Sequence, residues 1–351
     1  MRRIPLLLPV LFLLSSLPAT ASADDYAVVL LYHHVASDTP ASTSVSPRDF
    51  KRHLDYLWDN NYFVLPLEEV LDALANSKSL PENSVAITFD DAYESVHSNA
   101  WPMLRERGWP FTVFVSTDYV DAGYGNYMSW SQIRELTEGG GTIGNHSLSH
   151  AHPLQRNQGE SESAWLARFR DDLAGASNRI KEETDADTRL YAYPYGEFNR
   201  DVEEVVADLG LYGLGQQSGA VGPTTPLTSA PRFPISTSFA DMDDFTLRVR
   251  SRPLPVRVAA PDDRLLQPAS AAPQLELVLE DSVYSPESIG CFTSDGSRID
   301  VTWQDQQRFR IQAQAPLPPG RSKYTCTAPW PGESGVFGWY SHLWIIPGGG
   351  D

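Results

Sequence analysis

Cysteine is scarce in this sequence: only Cys291 and Cys326 occur in 351 residues. Both lie near the C-terminus, away from any candidate chemistry, so neither a thiol nucleophile nor a thiolate ligand is indicated. Positive charge is also in short supply, with 27 Lys and Arg against 45 Asp and Glu and a formal net charge of −18. That excess argues against nucleic acid and anionic membrane surfaces as partners. Long apolar runs are missing beyond the first residues, so no later segment is expected to cross a membrane. There is no glycine-rich phosphate loop of either familiar kind, no internal repeat and no low-complexity tract.

What is present begins with an export pattern. Arg2 and Arg3 precede an apolar core over 6–14, and Ala21-Ser22-Ala23 fits a small-residue cleavage site. Residues 1–23 are therefore expected to be a signal peptide, and the mature chain a periplasmic or secreted protein. No cysteine follows the apolar core to carry a lipid. In an oxidising compartment Cys291 and Cys326 are expected to form one disulfide, two buried thiols being the alternative.

Short apolar runs at 26–32, 85–89, 111–116, 142–145, 189–193, 212–216 and 232–235 read as buried strands. Helical patterns separate many of them, such as Ser46-Pro47 opening a helix with Phe50, Leu54 and Leu57 on one face. That alternation implies parallel strands and right-handed crossovers, and about seven units suggest a barrel. The expected fold is α/β: a deformed (β/α)7 barrel over 24–255, a Pro-rich linker over 256–273, and a small all-β, sandwich-like domain over 274–351.

Chemistry concentrates at strand ends. The run 84–93 ends its apolar part on Asp90-Asp91. Adjacent carboxylates beside a buried strand repel each other unless a cation or proton relieves them, although a solvated turn or helix cap gives the same pattern. His146 and His150 stand four apart, a spacing that lets a helical turn aim both at one metal ion. With a carboxylate they form a set that leaves positions open for water. A histidine pair alone is more often structural; the acidic pair upstream is what strengthens it.

The motifs Thr88-Phe89-Asp90-Asp91, His146-Ser147-Leu148-Ser149-His150 and Tyr193-Pro194-Tyr195-Gly196, in this order, resemble the polysaccharide deacetylases of the NodB-homology type, carbohydrate esterase family 4. The resemblance covers roughly 26–235. Tyr32-His33-His34-Val35, Met128-Ser129-Trp130 and Gly144-Asn145-His146 are similar to the branch acting on poly-β-1,6-N-acetylglucosamine in biofilm matrices, whose barrel is circularly permuted. The resemblance implies hydrolysis of N-acetyl groups from a polysaccharide with one divalent metal. Zn²⁺ is the default, and Co²⁺, Ni²⁺ or Fe²⁺ suit the same donors. It also implies Asp91, His146 and His150 as metal ligands, Asp90 as general base, His33 as general acid and the Tyr195 amide at the oxyanion. Two departures stand out. Ala192 occupies the place of the arginine that usually orients the base, and no Asp-x-x-Asp-Trp motif occurs.

Other assignments stay open on the residues. Strand alternation turns one of His33 and His34 inward; the family match selects His33. Trp130, Tyr195 and Leu214 are candidates to line an acetyl or sugar pocket, or to serve as core. Residues 213–219 form either a substrate loop or a plain connection. Trp330, Trp339, Tyr340 and Trp344 suit a carbohydrate surface or, more simply, an aromatic core. An O-acetyl esterase and a weakly active carbohydrate-binding protein are the rival functions on the same fold.

Overall fold

The computed structural model describes residues 23–261, 263–266, 272–280 and 283–346. The proposed signal peptide lies outside these residues except for Ala23. Among them no helix is long and apolar enough to cross a membrane.

The apolar runs form a curled parallel sheet. Its main strands are β1 (Val28–Tyr32), β2 (Ser84–Phe89), β3 (Phe111–Val115), β4 (Gly141–Asn145), β5 (Leu190–Ala192), β6 (Tyr212–Leu214) and β7 (Phe233–Pro234), and a two-residue strand, Phe63–Val64, pairs with β2 beside this path. The main strands hydrogen-bond in the order β6-β5-β4-β3-β2-β1-β7. Every pairing is parallel. The gap between β6 and β7 is bridged by residues just before β7: the Gly213 and Gly215 amides donate to Leu227 and Ala230 carbonyls at 2.9 Å. The result is the deformed seven-strand barrel expected from the sequence. β1, β2 and β3 are buried along their whole lengths because both faces are covered, which is why they lack polar alternation.

Local sequence fixes the helices as expected in several places. Ser46 caps Pro47–Asp59, accepting from the Asp49 amide, and the helix buries Phe50, His53, Leu54 and Leu57. Asn199 caps Arg200–Asp208. The helix Met242–Val249 was not anticipated; Asp241 caps it by accepting from the amides of Asp243 and Asp244.

The C-terminal part is all β, in two sheets. The proposed linker is corrected: its first residues form β9 (Val256–Ala260), antiparallel to β10 (Gln274–Leu279). Even before it, β8 (Arg252–Pro253) already belongs to this part, pairing with the last strand. Five prolines between 251 and 273 suggested extended crossing, yet edge strands tolerate proline. The remaining strands are β11 (Gly290–Thr293), β12 (Arg298–Ile299), β13 (Val301–Trp303), β14 (Arg308–Gln312), β15 (Gly320–Pro329) and β16 (Phe337–Ile346). One sheet runs β8-β16-β15-β11-β12 and the other β9-β10-β14-β13. Cys291 and Cys326 sit directly opposite on β11 and β15 and form the expected disulfide. Trp344 is fully buried, and Trp330 packs edge-on against Tyr284, so these aromatics serve the core.

The β part is fastened to the barrel by apolar packing. Leu343 and Ile345 of β16 join Trp165, Phe169, Tyr191, Tyr193, Phe198 and Val202 in one buried cluster. Trp339 also meets Phe233 of β7 edge-on at 5.4 Å. Ile345→Ala is expected to lower the unfolding free energy by about 2–5 kcal/mol, read from urea midpoints.

Candidate active site

The carboxyl ends of the barrel strands collect the polar residues that the motifs singled out, as parallel barrels tend to do. Asp90 and Asp91 follow β2, His146 follows β4, Tyr193 to Gly196 follow β5, and His33 follows β1.

Asp90 is fully buried and clasped by Arg232, which is also fully buried. Nη1 donates to Oδ1 at 2.7 Å and Nη2 to Oδ2 at 2.8 Å. The Arg232 Nε–H donates to the Gly215 carbonyl at 2.9 Å, which fixes the plane of the fork. Burial alone would raise the Asp90 pKa, but the Arg232 guanidinium outweighs it and holds the carboxyl below its usual range. The sequence reading left Asp90 without a partner because it looked at Ala192, before the proline motif. The guanidinium instead arrives from the residue preceding β7. A lone arginine opening an apolar strand was the signal that could have found it.

Ala192 has another use here. His146 Nδ1 lies 2.7 Å from its carbonyl oxygen. A carbonyl only accepts, so Nδ1 carries the proton and Nε2 presents its lone pair. That Nε2 lies 3.2 Å from Asp91 Oδ1, and His150 Nε2 lies 3.1 Å from the same oxygen. The donor atoms of Asp91, His146 and His150 all fall within 4.8 Å of one another. Asp91 Oδ1 is buried and has no hydrogen-bond partner. A lone pair facing a buried carboxylate oxygen is repulsive unless a cation lies between them, so the residues present fit a divalent metal.

The backbone around this set is held in conformations that non-glycine residues avoid. Asp91, Ala92, Ser147, His150 and Tyr195 have φ of 72°, 59°, 71°, 52° and 59°. The two histidines therefore do not share a helical turn, as their spacing suggested. Asn145 Oδ1 accepts from the Ser147 amide at 2.7 Å and Ser147 Oγ from the His150 amide at 2.8 Å. Asp172, from the helix Glu162–Thr184, accepts from the Leu148 amide at 3.1 Å. These bonds hold the left-handed loop. Tyr195 is followed by Gly196, where a Cβ would lie 2.7 Å from Gln216 Cβ, so residues 213–219 pack directly behind the proline motif.

Burial lowers the His33 pKa, and the opposing pull comes from Asp91 and Asp90. His34 stacks on Tyr93 with ring centroids 3.5 Å apart. Tyr195 lies edge-on to His150 at 4.7 Å. The Trp130 indole donates to Asp121 at 2.6 Å and lies under Arg179, while Leu214 is wholly buried in an apolar cluster. Sequence reasoning also missed an aromatic rim. Tyr93, Tyr127, Tyr119 and Tyr124 follow one another with successive centroids 5.0, 5.0 and 6.3 Å apart, and Tyr124 is 55% exposed.

Comparison with known proteins identifies the family. The family model described as "Polysaccharide deacetylase" matches residues 77–214. The Staphylococcus aureus protein named poly-beta-1,6-N-acetyl-D-glucosamine N-deacetylase is 30% identical over 213 residues, 59% of this chain and 72% of that protein. The chain belongs to the polysaccharide deacetylase family. That family is one of hydrolases acting on amide bonds. Bacillus subtilis YxkH, which carries the family's name, is 27% identical over 195 residues, 55% of this chain and 65% of YxkH. The chain thus spans just under two thirds of that relative's length. The solved structure of IcaB from Ammonifex degensii is 28% identical with a TM-score of 0.54, covering 63% of this chain and 96% of IcaB.

Replacing Arg232 by Met leaves Asp90 buried without its counter-charge. The expected loss at pH 7 is about 3–5 kcal/mol. Wild-type Asp90, with its depressed pKa, stabilises the fold above the unfolded value of about 3.9 and loses that contribution as pH falls through the folded pKa. The variant's Asp90 is instead favoured neutral, so the gap between the two proteins should narrow below about pH 4. Urea midpoints at neutral and acid pH read this directly.

Proposed function

We propose that this protein is an exported, metal-dependent polysaccharide N-deacetylase acting on an N-acetylglucosamine-containing polymer, with the β-1,6-linked polymer the favoured substrate. The observation that carries the proposal is the juxtaposition of the Asp91, His146 and His150 donor set with an Arg232-clasped Asp90. The buried cross-strand disulfide supports an oxidising compartment.

Asp91, His146 and His150 would hold the metal, with Zn²⁺ the first choice. When bound, it supplies Lewis acidity to the acetyl carbonyl and makes a neighbouring water more acidic. Asp90 stays ionised because Arg232 neutralises its burial, so it can accept the attacking water's proton. Arg232 also stops the carboxylate from rotating towards the metal set. His33 would protonate the leaving nitrogen; burial loosens its hold on that proton. The Tyr195 amide would donate to the developing oxyanion. The tyrosine rim offers faces on which successive sugar rings can stack, which suits a polymer better than a small ester.

The test is acetate release from the purified protein after chelation and reloading with Zn²⁺, Co²⁺ or Ni²⁺. Substrates are β-1,6- and β-1,4-linked N-acetylglucosamine oligomers and an acetylated xylan. Release from the β-1,6 oligomer is expected; release from xylan alone would replace the amidase by an esterase. Asp91→Ala should lose the bound metal together with turnover. His33→Ala should cut kcat on the amide by about 10²–10⁴-fold, and unchanged turnover in either variant would remove these roles.

A further inference from the structure

The family model matches residues 77–214 and so ends before the C-terminal β part begins. One residue of it reaches the site. Arg321, in the first turn-out of β15, places its Cζ 5.2 Å from the centroid of the Tyr195 ring. His152 stacks on the same ring, with centroids 3.9 Å apart and planes 7° from parallel. Glu197 ties the Arg321 and His152 side chains together. Its Oε2 lies 3.0 Å from His152 Nδ1 and its Oε1 3.5 Å from Arg321 Nη1. The Glu197 side chain is only 10% exposed, whereas that of Arg321 is 37% exposed. Arg321 is not free to wander, because its cross-strand partner is Ile345, which is buried in the cluster joining the β part to the barrel.

We infer that the β domain completes the active site, with Arg321 as a positioning residue that clamps the Tyr195 loop through the tyrosine ring and Glu197. Tyr195 holds a φ of 59° without being glycine, a conformation that persists only where neighbours impose it. His152 and Arg321 supply that restraint from the barrel and from the β domain. The amide that would face the oxyanion is thereby held by a side chain more than a hundred residues away in sequence. Arg321 makes no contact with Asp91, His146 or His150, so metal binding does not depend on it. The catalytic consequence rests on the deacetylase reading; the clamp itself does not.

The test compares wild type with Arg321→Ala and Arg321→Lys in the full-length mature protein. Hydrogen exchange of peptides covering 193–199 needs no substrate and reads the clamp alone. Exchange there should quicken several-fold in Arg321→Ala, with the thermal midpoint and bound Zn²⁺ unchanged. On the oligomer that wild type deacetylates, kcat should fall about tenfold with KM within twofold, and Arg321→Lys should recover part of the loss. Unaltered exchange would overturn the clamp. Faster exchange with unchanged kcat, or a rise in KM alone, would overturn its role in catalysis and make Arg321 a loop tie or a substrate contact. A wild type that releases no acetate, yet shows the exchange difference, would keep the clamp and remove the deacetylase reading instead.

Discussion

The Asp90–Arg232 pair is the constraint around which the barrel is arranged. A carboxylate with no solvent access is tolerated only when paired and hydrogen-bonded on both oxygens, and the two-pronged guanidinium does this at 2.7 and 2.8 Å. Arg232 in turn needs acceptors for its remaining donors, and it finds them in the Gly215 carbonyl and, at 3.3 Å, the Thr88 hydroxyl. Thr88 passes its own proton to the Leu30 carbonyl. The polar thread thus runs from β1 through β2 to the segments flanking β6 and β7, across an otherwise apolar interior. Replacing it by hydrocarbon would pack well, but it would leave no ionised carboxylate beside the Asp91, His146 and His150 set.

Next to this thread, the donor set obeys a different economy. Asp90 is saturated with hydrogen bonds, whereas Asp91 Oδ1 has none and faces two imidazole nitrogens. Adjacent residues of the same type therefore have opposite environments, one completed by the protein and one left for a ligand. Burial would raise the Asp90 pKa, and the Arg232 guanidinium outweighs it.

Much of this was legible in the sequence. Apolar runs ending on Asp90-Asp91 and before His146 identified strands and strand ends, because burial on both faces leaves a continuous hydrophobic signature. The motif order pointed to the family, and of the histidine pair after the first strand, His34 stacks on Tyr93. Contacts between distant segments were not legible. Arg232 meets Asp90 only because the barrel closes, and Arg321 meets Tyr195 only because β16 docks on the barrel. Trp130 lies beside a recognisable motif, yet Asp121 and Arg179 draw its indole into a surface cluster. The proline-rich stretch after 251 misled for a local reason: proline marks an edge strand as readily as a linker.

The separation of Asp90 from Arg232 carries a consequence for assembly. The two residues stand 142 positions apart, and β7 is the last strand of the barrel to emerge. Until it does, a collapsed intermediate has no cation to offer Asp90, so that carboxyl must stay hydrated or take up a proton. The interior can become dry only when the final strand seats beside β1. Non-local closure of this kind is slow relative to local helix formation. Completion of the site is therefore a late event in folding, and a partly formed chain that has already gathered Asp91, His146 and His150 would hold them beside a carboxyl not yet paired with Arg232.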